Sequence, residues 1–322
     1  MQLLSVLNVI LFSIALAEEM DSTTEHVVPL HSFSLRTPYI EENLNNRYWN
    51  FGGDTIVEVN QHVRLTTETQ SKKGWIWTKD ELSAGSWVIE FEFKVFSTNH
   101  NGLFGDGFAF WYTADKEVEG PVFGSKDKFK GLGVFFDTYS NGRQRVFNDD
   151  VFFHWKQHTF PYVSAMVGDG KTSYDHDNDG KDGEIGGCPA DFRGWDHATK
   201  AKVKYIRGQF LQVQLNIMED GLWRDCMFVQ NVTLPETGYI GFTAFTGEVY
   251  DTHDILEVSS NAIVSPHQYQ QSEFPKISNS SSSSSGVSAF QWVVILLLIG
   301  GVGGFVYVKY SESAKRKSYK RF

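Results

Sequence analysis

Carboxylates and amides gather in the middle of the chain in three short pieces. They are Gly105-Asp106-Gly107, Phe136-Asp137-Thr138-Tyr139-Ser140-Asn141 and Tyr174-Asp175-His176-Asp177-Asn178-Asp179-Gly180. Oxygen donors of this kind suit a hard divalent cation, because calcium draws about six to eight oxygens from carboxylates, amides, backbone carbonyls and water. Asp137, Asn141 and Asp179 offer side-chain oxygens and Tyr139 offers a backbone carbonyl, so one ion could fix both loops. Ordinary turn formation competes with this reading, since Asp and Asn favour turns for local reasons. The Asp175-x-Asp177-x-Asp179-Gly180 spacing imitates an EF-hand loop, but its twelfth position is Gly186 and no helical pattern flanks it. Asp106 sits between two glycines that permit close backbone approach. A carboxylate there can accept hydrogen bonds from two adjacent sugar hydroxyls, with a plain Gly-Asp-Gly turn as the alternative.

Catalytic chemistry finds less support. Glycoside hydrolases need two carboxylates about 5–10 Å apart. Glu90 and Glu92 alternate onto one strand face, where solvent exposure is the simpler account. His154 and His158 are four apart but lack the glutamate of a zinc-protease helix, and no Gly-x-Ser-x-Gly elbow occurs. No enzymatic activity is expected. Nor is nucleic-acid binding: the net charge is −10 while residues 309–322 are basic, which leaves −15 on residues 18–308, the wrong sign for phosphates.

The elements that must hold these residues read as all-β. Trp87–Phe96 alternates with period two, placing Val88, Glu90, Glu92 and Lys94 on one face. Phe108–Tyr112 and Leu132–Phe136 are near-continuous apolar runs, as expected of strands buried on both faces. Val203–Ile206, Arg207-Gly208 and Gln209–Ile217 read as a hairpin with a tight turn, and Tyr239–Phe245 and Ile255–Val258 supply further strands. Many short strands between Gly, Asn and Asp clusters indicate a β-sandwich or jelly roll.

Appendages flank this body. Residues 1–17 read as a signal peptide, with an apolar run and the small-x-small pattern Ala15-Leu16-Ala17, and residues 18–27 as a polar lead-in. Residues 261–286 read as a disordered, Ser-rich stalk. Residues 287–308 have the length and apolarity of one transmembrane helix. Residues 309–322 form a basic tail, cytosolic by the positive-inside rule, which leaves the body lumenal. Cys188 and Cys226 are most simply one disulfide in an exported chain, with two free buried thiols as the alternative. Asn231 and Asn279 head glycosylation sequons.

Several motifs in order carry a more specific resemblance. They are Gly105-Asp-Gly-Phe-Ala-Phe-Trp-Tyr-Thr113, Gly133-Val-Phe-Phe-Asp-Thr-Tyr-Ser-Asn141, Tyr174-Asp-His176, Cys188-Pro-Ala-Asp-Phe-Arg193 and His253-Asp254-Ile255. Together they resemble the membrane-anchored legume-type (L-type) lectins of the early secretory pathway, over residues 28–260 and in topology. The group nearest in pattern is the vesicular integral-membrane lectins, and the cargo receptor of the ER–Golgi intermediate compartment is similar. The resemblance implies a concanavalin-like jelly-roll β-sandwich and calcium-dependent binding of high-mannose N-glycans on glycoprotein cargo. It implies calcium at Asp137, the Tyr139 carbonyl, Asn141 and Asp179. It implies mannose contacts from Ser71, Asp106, Asn141, His176 and Gly247-Glu248-Val249, with a cis peptide before Asp106. Type I membranes of the ER, the intermediate compartment and the Golgi are the implied location, with coat proteins as partners at the tail ending in Phe322. Relatives carry Gly-Asp-Leu or Gly-Gly-Leu where this chain has Gly247-Glu248-Val249, a departure that bears on which mannose arm is read. The rival is a membrane protein-interaction or structural protein that keeps the fold without binding sugar.

Overall fold

A computed structural model of the chain describes residues 25–98, 104–141 and 160–265, all within the first of two compact units, Met1–Pro275. The residues expected to form the signal peptide, the transmembrane helix and the tail, and Asn279, lie outside the described residues, among which no helix is long and apolar enough to cross a membrane.

Of sixteen strands among these residues, numbered in chain order, fifteen form two sheets. One runs β14 (Arg224–Gln230), β13 (Phe210–Asn216), β12 (Thr199–Ile206), β6 (Trp87–Phe96), β16 (Thr252–Ser265), β4 (His62–Thr66), β3 (Ile56–Glu58), with β1 (His26–Pro29) also paired to β16. The other runs β11 (Glu184–Pro189), β10 (Tyr162–Asp169), β9 (Lys130–Asp137), β7 (Gly107–Thr113), β15 (Tyr239–Phe245), β5 (Lys73–Thr78), β2 (Trp49–Gly53). β8 (Glu119–Val122) stands apart from both.

The alternation read in β6 is observed. Phe91, Phe93 and Trp87 point into the space between the sheets, while Glu90 and Glu92 meet Lys202 and Lys200 of β12 on the outer face. β7, apolar up to its last residue Thr113, is buried along its whole length for a geometric reason. Phe108, Phe110 and Tyr112 enter the inter-sheet core, whereas Ala109 and Trp111 enter a second core on the opposite face with Trp77, Phe123, Phe129, Phe135 and Tyr174. Successive side chains on a strand point to opposite faces, so a strand covered on both sides has no place for a polar residue.

The β12–β13 hairpin is as expected except at its tip. The loop is three residues, Arg207 to Gln209, with Gly208 at φ +72° and the Gln209 N–H bonded to Ile206 O at 2.9 Å. Residues 261–265, expected to open the stalk, continue β16 instead, because β1 provides them with a backbone partner through His26↔Ser265 and Pro29↔Asn261. His26 and Val27, expected in the lead-in, belong to that pairing. Cys188 of β11 and Cys226 of β14 are disulfide-bonded, with Cα atoms 5.2 Å apart, and join the edge strands of the two sheets.

One buried base sets an acid limit on this fold. His253 is 1% exposed; its Nδ1 pairs with the Thr66 hydroxyl at 2.7 Å, and burial, assisted by the Arg193 charge, lowers its pKa to about 3. The folded state thus binds this proton less readily than the unfolded chain does, so the native fold is favoured above pH ~6.5 and progressively less as pH falls towards 3. Between pH 7 and pH 4, in saturating calcium, the Tm of H253N should fall by less than that of the parent. Parallel slopes for the two proteins would remove His253 from the acid response.

Candidate functional site

One end of the seven-stranded sheet gathers the predicted residues. Gly107 at the start of β7 pairs with Asp137 at the end of β9 and with Phe245 at the end of β15; Phe245 also pairs with Lys73 at the start of β5. The loops bearing Asp106, Asp137–Asn141, Gly247–Val249 and Ser71 therefore leave four strands at the same edge. The antiparallel order of these strands is what makes distant stretches of sequence neighbours.

A fifth loop arrives by another route. β10 runs away from this end, and residues 170–183 return to it over the outer face of the sheet. Tyr174 anchors the return by packing edge-on against Phe135 and Phe123, at 5.0 and 6.0 Å between centroids. Asp127 accepts the Tyr174 N–H at 2.9 Å. Partial burial would raise the Asp127 carboxyl, but that bond, the Ser173 hydroxyl and the nearby His176 hold it below the usual range. Gly180 is required here: its φ is +73°, and a Cβ would lie 2.3 Å from the Tyr174 ring.

Asp179 so placed accepts the Asn141 N–H at 2.8 Å, and Asp137 accepts the Tyr139 N–H at 2.9 Å. Both carboxylates are buried, at 5% and 8% exposure for Asp137 and Asp179. Burial pushes the Asp137 carboxyl well above its usual range, and the charges of Asp179 and Asp106 push it further. Burial likewise raises the Tyr174 phenol, helped by Asp137 and Asp179.

Asp106 follows a cis peptide at Gly105-Asp106. Its carbonyl accepts the Thr138 N–H at 3.1 Å, which ties it to the Asp137 loop. Burial raises its carboxyl to about 6, the Gly247 N–H donates to it, and Asp251 adds a like charge nearby. A Cβ on residue 247 would come within 3.0 Å of Asp106 Oδ2, so glycine is what lets this backbone approach the carboxylate. Val249 packs against Gly105. Gln70 Nε2 donates to Glu248 O at 2.9 Å and the Ser71 N–H to Gly247 O at 3.3 Å, which joins the Ser71 loop to the Gly247 loop. The Glu248 and His176 side chains are exposed, the His176 ring lying edge-on to Tyr174 at 4.9 Å.

The structure thus gathers Ser71, Asp106, Asp137, Tyr139, Asn141, His176, Asp179 and Gly247–Val249 at one sheet end. Cys188, Cys226 and Asn231 belong to other parts of the fold. The sequence offered no sign of Asp127 or Asp251 as supports, because each acts through a partner far away in the chain.

The donor set fits calcium. Asp137, Asp179, Asn141 and the Tyr139 carbonyl are hard oxygen ligands, and like charges held in a buried place carry a cost that a divalent cation removes. The same end also presents the Asp106 carboxylate beside the Gly247 N–H.

Comparison with known proteins agrees. The model of the Legume-like lectin family matches residues 26–270. Vesicular integral-membrane protein VIP36 of Canis lupus familiaris is 39% identical over 252 residues, covering 78% of this chain and 67% of that protein. An L-type lectin-like domain-containing protein of Schizosaccharomyces pombe is 36% identical, covering 80% of this chain and 78% of its own. Among solved structures, the VIP36 lumenal domain in its Ca2+/Man-bound form superposes with a TM-score of 0.68 at 38% identity, over 76% of this chain and 96% of that one. The Ca2+/Man3GlcNAc-bound form gives 0.64 at 40% identity, over 74% and 94%.

Proposed function

Because the chain belongs to the legume-like lectin family, we propose that it is a calcium-dependent, mannose-binding lectin of the secretory pathway. Its ligands on this reading are high-mannose N-glycans of glycoprotein cargo, and its role is sorting that cargo between ER and Golgi. The observation that carries the reading is the Asp106 carboxylate, held by the Gly247 N–H and tied through Thr138 to the buried Asp137 loop. Calcium, when bound by Asp137, Tyr139 O, Asn141 and Asp179, supplies charge compensation that locks the two loops together. Asn141 and His176 then face the sugar from one side, with Ser71 and Gly247-Glu248-Val249 on the other. Asp106 accepts hydroxyl protons, and Asn141 can donate and accept.

Recognition of this type is reversible and breaks no bond. Single-site affinity should be weak, since sugar hydroxyls give up hydrogen bonds to water of nearly equal strength, and retention of cargo then depends on several glycans engaging at once. A signal peptide, a Ser-rich stalk, a transmembrane helix and a cytosolic tail meeting coat proteins complete the proposal. Asn231 is a glycan acceptor on the same reading, being exposed in the turn after β14 together with Thr233.

The test is binding of the full-length chain to a glycan array in calcium and then in chelator. Binding to high-mannose glycans that vanishes on chelation is expected. A folded protein that binds nothing in either condition would replace the lectin reading with that of a protein-interaction scaffold.

A further inference from the structure

Two of the sequence motifs, Cys188–Arg193 and His253-Asp254-Ile255, take no part in the site as described. Both lead to one buried ion pair. Arg193 Nε donates to the two oxygens of Asp251 at 3.1 and 2.9 Å, and Nη2 donates to Oδ1 at 2.8 Å. Asp251 is fully buried and the Arg193 side chain is 19% exposed. The guanidinium also lies over the Phe104 ring, with Cζ 3.9 Å from the centroid. Its backbone is pinned from behind: Arg193 bridges Val95 of β6, and the Gly194 N–H donates to Val95 O at 2.8 Å. The Asp251 carbonyl accepts the Thr66 hydroxyl at 3.2 Å, the same hydroxyl that pairs with His253 Nδ1.

The position of the two contacts is informative. Phe104 directly precedes Gly105-Asp106, and Asp251 follows Val249 by two residues. One planar cation therefore touches the roots of both segments that flank the Asp106 carboxylate. Arginine is suited to this, because its fork binds a carboxylate through two donors while its flat face stacks on a ring; lysine offers the charge alone.

We propose that Arg193 is a positioning residue for sugar recognition, holding the Phe104–Asp106 segment and the Gly247–Val249 loop at the separation a mannose unit requires. This rests on the mannose-binding reading above. The cation side of the site has supports of its own in β9, the Asn141–Asp179 bond and the Tyr174–Asp127 anchor, and Thr138 is its link to Asp106 and Asp251. Loss of Arg193 should therefore fall on sugar and spare calcium. A merely structural buried pair would instead weaken both together, through loss of fold.

The test uses the full-length chain with R193M, R193K and F104L. Methyl-mannoside affinity is measured in saturating calcium, and calcium affinity separately without sugar, both well below the Tm. R193M should weaken mannose binding by about 10-fold or more, since a misplaced wall costs a site most of its precision, and leave calcium affinity within about 2-fold. R193K should recover part of the loss. Should R193M fail to fold, F104L decides, because it removes only the ring face and leaves the ion pair intact; it should weaken mannose binding by about 3-fold. Unchanged mannose affinity in folded R193M or in F104L overturns the proposal, as does an equal loss of calcium and mannose affinity. Failure of the parent protein to bind mannose at all would overturn the lectin reading instead.

Discussion

Asp106→Asn is expected to weaken mannose binding by more than about 100-fold, on the scale of two charge-assisted hydrogen bonds, while Tm and calcium affinity stay close to those of the parent. The carboxylate is an acceptor in every direction. It takes the Gly247 N–H on one side and leaves acceptor capacity for sugar hydroxyls on the other. Asparagine is nearly the same shape but exchanges one acceptor oxygen for an NH2 group. If its oxygen keeps the Gly247 N–H, its donor group faces the sugar; if it turns round, two N–H groups confront each other. Either way one partner is lost and a repulsive contact replaces it. Titration calorimetry with a mannoside, beside calcium titration and thermal melts, separates this from misfolding. Retention of parental affinity would show that Asp106 lies outside the sugar site.

The second large effect concerns calcium. Without the ion the domain should still fold, but mannose binding should vanish and the Tm should drop by roughly 5–10 °C relative to calcium at about 100 times its Kd. That range follows from about 2.7 kcal/mol of linkage and the usual size-dependent conversion to temperature. Asp137→Asn sharpens the expectation. Asp137 is a buried carboxylate among other carboxylates, with a pKa pushed up by burial and by Asp179 and Asp106. Removing its charge takes away a like-charge cost in the metal-free state. The metal-free variant should therefore melt no lower than the metal-free parent, yet gain nothing from added calcium and bind no mannose. A calcium-dependent rise in its Tm equal to that of the parent would exclude Asp137 from the ligand set.

Much of the scaffold was legible because burial writes a period into sequence. β6 alternates because one face meets the core and the other meets Lys200 and Lys202. β7 and β9 are apolar between their ends, over Phe108–Tyr112 and Leu132–Phe136, because two cores enclose them. Apart from the buried β10, which the sequence reading also missed, many of the strands that escaped notice are short or mixed in character. β11 is Glu-Ile-Gly-Gly-Cys-Pro, β14 begins Arg-Asp-Cys, and β3 and β4 lie beside one another as short pieces. β11, β14 and β3 are edge strands covered only in part, so their residues carry no strong alternation.

The site divides in the same way. Asp137, Asn141 and Asp179 could be suspected from oxygen chemistry alone, while Ser71 and Gly247–Val249 came only through family resemblance. They are exposed or half-buried loop residues, joined mainly by backbone contacts, and backbone contacts leave no residue signature. Arg193 and Asp251 are 58 positions apart, and a pair formed at that distance announces itself only in three dimensions.

β16 has one further consequence. It begins at Thr252, directly after the loops of the site, and ends at Ser265. At about 3.3 Å per residue, its fourteen residues span roughly 45 Å. The polypeptide therefore departs from the pole of the domain opposite the one that meets ligand. Ser265 itself lies out of the path of a molecule approaching the other pole, with the body of the domain between them. On the lectin reading proposed above, the far end of β16 offers no steric conflict to a glycan carried on a bulky folded protein.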